Sequence, residues 1–178
     1  CDSISSTKRQ TCINLLGIIL DVLLKWFAPI LSFTTEEIFQ IINQGQNTSI
    51  HLQAFAKIPE KWKNEKLFQK WEKFKVIKKV VNAAIEAKRA NKDIGSSLEA
   101  DVQIFLSEDY LTIAKDFDLP EHLITSEAKA KKLIKDDNLF KINEIEDIKV
   151  SVKKAEGKKC QRCWKIFIGP CNRCNLTN

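Results

Sequence analysis

Two closely spaced Cys-x-x-Cys pairs near the C-terminus constrain this chain more than any other feature. Cys160 and Cys163 form the first pair, and Cys171 and Cys174 form the second after an interval of seven residues. In a tight turn both thiolates of a pair can point inward while backbone N–H groups stabilise the sulfurs. Zinc accepts four sulfurs at about 2.3 Å in a tetrahedral arrangement. The spacing therefore predicts one structural zinc ion, held by all four cysteines.

Two disulfide bonds are the alternative use of the same four cysteines. Adjacent Cys-x-x-Cys pairs make poor structural crosslinks, and the chain shows no secretory segment, so we expect reduced thiols and a cytoplasmic location. The other two cysteines, Cys1 and Cys12, belong to no motif. Cys12 lies on a helical face and is predicted to be a small buried apolar residue.

The composition indicates part of a longer polypeptide with enough apolar residues for a core. The chain has 178 residues, 44% of them hydrophobic, begins with Cys1 and contains no Met. Asp21 and Lys25 interrupt the longest apolar run, so we predict neither a membrane-spanning helix nor a membrane partner.

The net charge of +6 is unevenly distributed along the chain. Residues 1–56 sum to −1, residues 57–100 to +6, residues 101–150 to −5 and residues 151–178 to +6. Two basic blocks flanking an acidic one suit a polyanionic partner. The middle block taken alone is equally well explained as a solvated lysine-rich helix, whereas basic charge beside a zinc site favours nucleic acid.

The first half of the chain is predicted to be helical. Apolar residues recur at helical spacing over 7–28, and Pro29 ends that helix, which we expect to be mostly buried. A second helix is predicted to start at Thr34, where Thr34 and Glu37 form a capping box. A third is predicted over 61–92, where five apolar residues form a bundle-like stripe: Leu67, Trp71, Phe74, Val81 and Ile85.

The pattern changes after Gly95, which is expected to stop the third helix. Residues 102, 104 and 106 predict one strand face, a short helix follows near 110–117, and residues 122–129 and 148–152 are further strand candidates. The predicted fold is therefore mainly α. It comprises the C-terminal part of a helical bundle (1–93), a small α+β domain (94–157) and a four-cysteine zinc knuckle tail (158–178).

The sequence shows no catalytic constellation. His51 and His122 are expected to lie in a loop entrance and a strand, neither beside a nucleophile or a carboxylate pair, and there is no Gly-rich phosphate loop. Both histidines are predicted to be ordinary surface or packing residues.

Trp164 directly follows the second cysteine, and two interpretations of it stay open. Its indole either covers the metal site as the core of the knuckle or is a platform on which an unpaired base stacks. Arg162 and Arg173 occupy equivalent places, each directly before the second cysteine of its pair. An arginine beside an exposed aromatic ring suits loop RNA, whose bases stack and whose phosphates pair.

Three segments of the chain are specific enough to compare with known families: KWFAPILSFTTEEI at 25–38, AKRANKDIGSSLEA at 87–100 and KAEGKKCQRCW at 154–164. They resemble the bacterial class I aminoacyl-tRNA synthetases for branched aliphatic amino acids. The first is similar to a helix turn of their anticodon domain, the second to the segment that follows in the isoleucine enzymes, and the third to the zinc tail of those enzymes. The resemblance runs in the right order over nearly the whole chain.

The resemblance implies a C-terminal tRNA-recognition portion that is not catalytic by itself. In the family, upstream catalytic domains use ATP to activate isoleucine and transfer it to tRNA(Ile), and their His-x-Gly-His and Lys-Met-Ser-Lys-Ser signatures do not occur here. The expected cofactor is one zinc ion, with ATP serving only the full-length enzyme, and the expected assembly is a monomer. The residues expected to bind tRNA are Lys88, Arg89, Lys92, Arg162, Trp164 and Arg173.

One departure from the family and two competing interpretations remain at this stage. The link from Trp164 to Pro170 is shorter than the hairpin that relatives usually have, which affects any tRNA contact made from that hairpin. The chain could instead be a stand-alone zinc-ribbon adaptor that binds nucleic acid. A valyl or leucyl synthetase fragment would share the helical motif but not the four-cysteine tail.

Overall fold

The computed structural model describes residues 2–44, 47–171 and 174. Helices account for 46% of the chain and strands for 18%, so the predicted mainly α composition is confirmed. The contacts divide the chain into two compact units, one formed by residues 2–63 and the other beginning at Asn64. Each is described by itself below as the helical unit and the α+β unit.

The helical unit contains two α-helices and two short 3-10 turns. Helix α1 spans Thr7–Phe27 and begins at Ser6, whose side chain accepts a hydrogen bond from the Arg9 amide. Helix α2 spans Ser32–Ile42, and the 3-10 turns span Ile50–Leu52 and Glu60–Trp62. The first helix ends just before Pro29, as predicted.

The predicted capping box of the second helix is wrong. Helix α2 begins at Ser32, two residues before Thr34, and its N-cap residue is Leu31, which offers no side-chain cap. The Thr35 hydroxyl instead donates to the Leu31 carbonyl at 2.9 Å. The chain therefore re-enters helical geometry as soon as the Pro29 turn is complete, without the polar cap that the sequence pattern favoured.

The prediction that the first helix is mostly buried is also wrong. Leu24 is its only buried residue among those described, and Cys12, expected inside, is exposed. The small core of this unit is limited to Leu24, Ala28, Phe39 and Ile50. One helix and one short turn cannot cover every side of an apolar 21-residue helix, so large side chains remain in contact with solvent.

Helix α1 is also long and apolar enough to cross a membrane by length and composition alone, contrary to the sequence-based prediction. The Asp21–Lys25 pair that was expected to forbid this is an ion pair at 2.7 Å within the helix. A single helix that satisfies this criterion is weak evidence, so the criterion alone does not assign α1 to a membrane.

The α+β unit begins with helix α3, Glu65–Ala90, which starts at an Asn64 cap. Its buried stripe includes Phe74, Val81 and Ile85 as predicted, while Leu67 is exposed. This stripe packs on a sheet. For that reason the contacts divide the chain before α3, whereas the predicted division follows residue 93.

The sheet has four strands, Ala100–Leu106 (β1), Glu127–Lys132 (β2), Phe140–Ile142 (β3) and Ile145–Lys154 (β4). Their order across the sheet is β2-β1-β4-β3. Strand β1 pairs in parallel with β2 and antiparallel with β4, which also pairs antiparallel with β3. Alternate residues of the two central strands, including Val102, Ile104, Val150 and Val152, share one core with α3.

Two predicted strands, those around 102–106 and 148–152, coincide with β1 and β4, and the short helix near 110–117 coincides with α4, Glu108–Ala114. The strand candidate at 122–129 is wrong in its first half. Residues Leu119–His122 form a short helix, α5, which begins at an Asp118 cap. The chain then turns through Ile124 before β2 begins at Glu127.

The cysteine tail, defined as residues 158–171 with Cys174, forms a small hairpin. Strand β5 spans Lys158–Lys159, strand β6 spans Ile166–Phe167, and the two pair antiparallel. Gly157 makes the entry to this hairpin possible. Its φ is 124°, and a Cβ built there would lie 2.1 Å from the Phe167 carbonyl oxygen, which leaves no room for any other residue.

Candidate metal centre and nucleic-acid surface

The four tail cysteines converge on one point. The sulfurs of Cys160, Cys163, Cys171 and Cys174 all lie within 4.8 Å of one another, and Cys163 Sγ is 3.6 Å from Cys171 Sγ. A tetrahedral ion about 2.3 Å from each sulfur would separate the sulfurs by about 3.8 Å. The cluster therefore fits a four-sulfur metal centre. No disulfide links these cysteines.

The first Cys-x-x-Cys pair lies in a tight turn whose amides stabilise sulfur. The Cys160 amide donates to the Lys165 carbonyl, and the Trp164 amide donates to the Cys160 carbonyl, both at 2.9 Å. Backbone N–H groups of Cys163 and Arg162 donate to the Cys160 sulfur and lower the pKa of this thiol from 9.0 to about 6. Such donors stabilise a thiolate, the form that binds metals.

The pKa values of Cys163 and Cys174 are shifted in the opposite direction. Burial raises the pKa of Cys163 above 9.0. Burial, with hydrogen bonds that the protonated Cys174 thiol makes to Cys171 and Cys160, raises the pKa of Cys174 to about 12. A cluster of four sulfurs cannot carry several negative charges without a cation, which also favours the protonated forms of Cys163 and Cys174. A divalent metal would relieve this repulsion.

Trp164 is exposed, which favours one of its two interpretations. Its indole is 60% exposed, so it does not form the core of the knuckle. The Lys159 ammonium lies 6.0 Å from the ring centroid, at the outer limit for a cation–π contact. The adjacent Arg162 is also exposed, whereas Arg173 lies outside the described residues.

The other predicted RNA contacts cluster where α3 ends. The Lys88 ammonium pairs with Asp93 at 2.9 Å, and Arg89 pairs with Glu86 at 2.7 Å. Lys92 is exposed in the left-handed region with φ 61°. Its amide donates to Arg89 and the next amide donates to Lys88, so these hydrogen bonds cap the carboxyl end of the helix.

A short segment joins the end of α3 to the cysteine tail. The Glu99 carboxylate accepts from the Gly95 amide at 3.0 Å through one oxygen and lies 3.8 Å from Lys159 Nζ through the other. The Glu99 carbonyl also accepts from the Ala155 amide at 2.7 Å. The end of α3 and the cysteine tail therefore belong to one compact unit. The Glu99 carboxylate, which pairs with Lys159, links them.

Sequence reasoning missed three residues that join the tail to the rest of the α+β unit. The Ser126 hydroxyl accepts from the Ile166 amide at 2.6 Å, and the Lys165 ammonium donates to the Pro120 carbonyl at 3.3 Å. Glu99 is the third. Hydrogen bonds between residues 40 or more apart carry no periodic signal, so nothing in the sequence could have revealed Ser126 or Lys165.

His122 lies in an aromatic cluster with Trp71, Phe74 and Phe117, whose ring centroids are 5.3, 5.6 and 5.5 Å from its own. Its Nδ1 lies 2.8 Å from the Asp118 carbonyl oxygen. These contacts make His122 a packing residue, in agreement with the role expected from the sequence, although in a helix and not in a strand.

Comparison with known proteins places the chain in a family. Residues 2–104 match the family model described as the anticodon-binding domain of tRNA ligase. The chain is 48% identical to the isoleucine--tRNA ligase of Pelagibacter ubique over 97% of its own length and 18% of the relative. It is 38% identical to the isoleucine--tRNA ligase of Bradyrhizobium diazoefficiens over 93% of the chain and 17% of that relative. The same name and identity apply to Rhodopseudomonas palustris, over 94% of the chain and 17% of the relative.

The chain thus spans less than a fifth of the length of these curated relatives. The similarity falls in their C-terminal part. It extends over more than nine tenths of the chain.

Proposed function

The chain belongs to the family of anticodon-binding domains of tRNA ligases, and from this we propose that it is the C-terminal tRNA-recognition portion of an isoleucine–tRNA ligase. The relatives' shared name supports isoleucine as the amino acid and argues against a valyl or leucyl fragment. The family match supports a ligase over a stand-alone zinc-ribbon adaptor.

The observation that carries the proposal is the exposed Trp164 on a tail that is held by four cysteines and surrounded by basic residues. A flat indole that is open to solvent can stack on an unpaired base. Arg162 and Lys158 would pair with phosphates next to it. We infer that the tail binds the anticodon loop, with Arg173 as a further contact.

Lys88, Arg89 and Lys92 are proposed to follow the phosphates of the anticodon stem. Duplex RNA exposes phosphates and 2′-hydroxyls but few readable base edges to side chains. Lysine and arginine at the end of a helix therefore contribute affinity without sequence preference, whereas the choice of tRNA rests on the loop.

Zinc is proposed as the resident metal, one ion per chain, held by Cys160, Cys163, Cys171 and Cys174. Zinc would supply no chemistry beyond crosslinking the two halves of the tail. The role of this chain's own residues is to fix the turn that carries Trp164. ATP, isoleucine and the catalytic domains belong to the longer protein, which we place in the cytoplasm as a monomer without a membrane partner.

The test is Trp164→Ala in the zinc-loaded 178-residue chain, measured by binding to a tRNA(Ile) transcript. If the indole stacks on a base, affinity falls by about tenfold or more while zinc content stays at one equivalent. Trp62→Ala is the matched control, because Trp62 is also exposed but lies outside the tail. Unchanged affinity, or loss of zinc in Trp164→Ala, would contradict the stacking role.

A further inference from the structure

One hydroxyl group joins the cysteine tail to the rest of the α+β unit. Ser126 Oγ accepts a hydrogen bond from the Ile166 amide in β6 and donates one to the Leu98 carbonyl. Its own amide donates to the Ala100 carbonyl at the start of β1 at 3.1 Å. Two segments, 28 and 40 residues from Ser126 along the chain, therefore meet at this half-buried side chain.

Other side-chain contacts of the tail with the rest of the unit are longer. Lys165 donates a hydrogen bond to the Pro120 carbonyl at 3.3 Å, and the ion pairs from Lys159 to Glu99 and from Lys165 to Glu121 are 3.8 and 3.9 Å long. Partly exposed ion pairs at such distances contribute little and tolerate changes of angle. A hydroxyl that donates and accepts at the same time fixes the two partner segments at a defined distance and angle.

We infer that Ser126 is a positioning residue that holds the cysteine tail in one orientation on the sheet. The effect of this residue on RNA binding rests on the proposed function. With the tail fixed, Trp164 and the end of α3 are presented together to one RNA. A tail that turned freely would lose entropy on binding, so fixing it beforehand increases affinity without adding any contact to RNA.

The structure also explains why serine suits this position. Alanine would leave the Ile166 amide and the Leu98 carbonyl without this partner, whereas threonine would keep the hydroxyl and add only a methyl group. Ser126 is half-buried and not enclosed, so that methyl group has a route to solvent. Threonine should therefore restore what alanine removes.

The experiment compares Ser126→Ala and Ser126→Thr in the zinc-loaded 178-residue chain, with Ser151→Ala as the matched control. Ser151 is likewise a half-buried serine, located in β4, and its hydroxyl has no hydrogen bond to a residue that the structure describes. Amide hydrogen exchange at Ile166 is measured by NMR, with Val102 in β1 as the internal reference. Zinc content and tRNA(Ile) affinity are measured on the same samples.

In Ser126→Ala we expect exchange at Ile166 to rise about tenfold or more, exchange at Val102 and zinc content to stay constant, and tRNA affinity to fall three- to tenfold. Ser126→Thr and Ser151→Ala should behave as the parent chain. Unchanged exchange at Ile166 would overturn the inference, as would faster exchange with unchanged tRNA affinity. Failure of the proposed function is distinguishable, because it appears as unchanged affinity in Trp164→Ala.

Discussion

Two residues of the candidate RNA surface, Lys92 and Trp164, hold a backbone conformation that suits glycine. Their φ values are 61° and 64°, and the left-handed region costs a residue with a Cβ of the order of 1 kcal/mol. Ile124 shares this conformation at φ 57°, in the turn before β2. At Lys92 and Trp164, glycine would relax the backbone but remove the ammonium or the indole. At both positions proposed to bind RNA, the backbone that carries the side chain is therefore strained.

A residue-scale prediction concerns the thiol of Cys160. Amides of Cys163 and Arg162 lower its pKa to about 6, while burial raises that of Cys163. In the chelator-treated chain at pH 7, Cys160 is therefore mostly thiolate and should react with iodoacetamide faster than Cys163 or Cys174. Peptide mass spectrometry after limited alkylation measures the order, and the rate at Cys160 should fall as the pH drops below about 6. Exposed Cys12 is the internal reference, and equal labelling of the tail cysteines at pH 7 would contradict the prediction.

At the scale of elements, local sequence patterns correctly predicted the features that depend on residues close to one another in the chain. The helix end before Pro29, strands β1 and β4 and the convergence of two Cys-x-x-Cys pairs all follow from short-range rules. The rest depends on packing between distant segments. Helix α3 has a bundle-like stripe, yet that stripe packs on a sheet, because the same apolar face fits either partner. The apolar pattern of α1 could not reveal how much of the helix the rest of the unit covers.

Helix α2 offers an element-scale prediction through Glu36. Its carboxylate accepts hydrogen bonds from Gln40, from the Ser49 hydroxyl and from the Ile50 amide, at 2.7, 2.8 and 2.9 Å. These donors lower the pKa of Glu36 below 4.5. A group whose pKa is lower in the folded state stabilises the fold above its unfolded pKa, and that stability is lost as the pH falls through the folded value. Glu36 should therefore secure the 49–50 turn on α2 at neutral pH but not in acid.

The corresponding variant is Glu36→Gln, followed by thermal unfolding with circular dichroism between pH 7 and pH 2. We expect a lower Tm than the parent at pH 7 and a difference that shrinks below pH 4.5 as the parent's carboxylate takes up its proton. Glu37→Gln is the control, because Glu37 is exposed on the same helix and makes no hydrogen bond or ion pair with a described residue. A Tm difference that stays constant down to pH 2 would show that the ionised carboxylate is not the cause.

At the scale of the whole chain, charge is distributed so that the acidic block neutralises lysines of the α+β unit. Asp116 pairs with Lys70 of α3, Glu108 pairs with Lys132 of β2, and Asp137 lies 4.0 Å from Lys149 of β4. The −5 of residues 101–150 already counts Lys132 and Lys149, so of these three pairs only Asp116–Lys70 offsets charge between two blocks. Lys92 and Lys158 are exposed and have no ion pair with a residue that the structure describes.

The last prediction is that these two lysines carry part of the salt dependence of tRNA binding. Each lysine that meets a phosphate releases a counterion, which changes the slope of log K against log salt by about 0.7 to 0.9. Lys92→Gln and Lys158→Gln should each make the slope shallower by about that amount, and the double variant by the sum. Lys70→Gln is the control, because Lys70 is paired with Asp116 and its removal should leave the slope unchanged.

Filter binding of a tRNA(Ile) transcript between about 50 and 200 mM salt covers the range in which such slopes are measurable. Equal slopes in the parent and the double variant would mean that RNA does not contact the surface from the end of α3 to the cysteine tail.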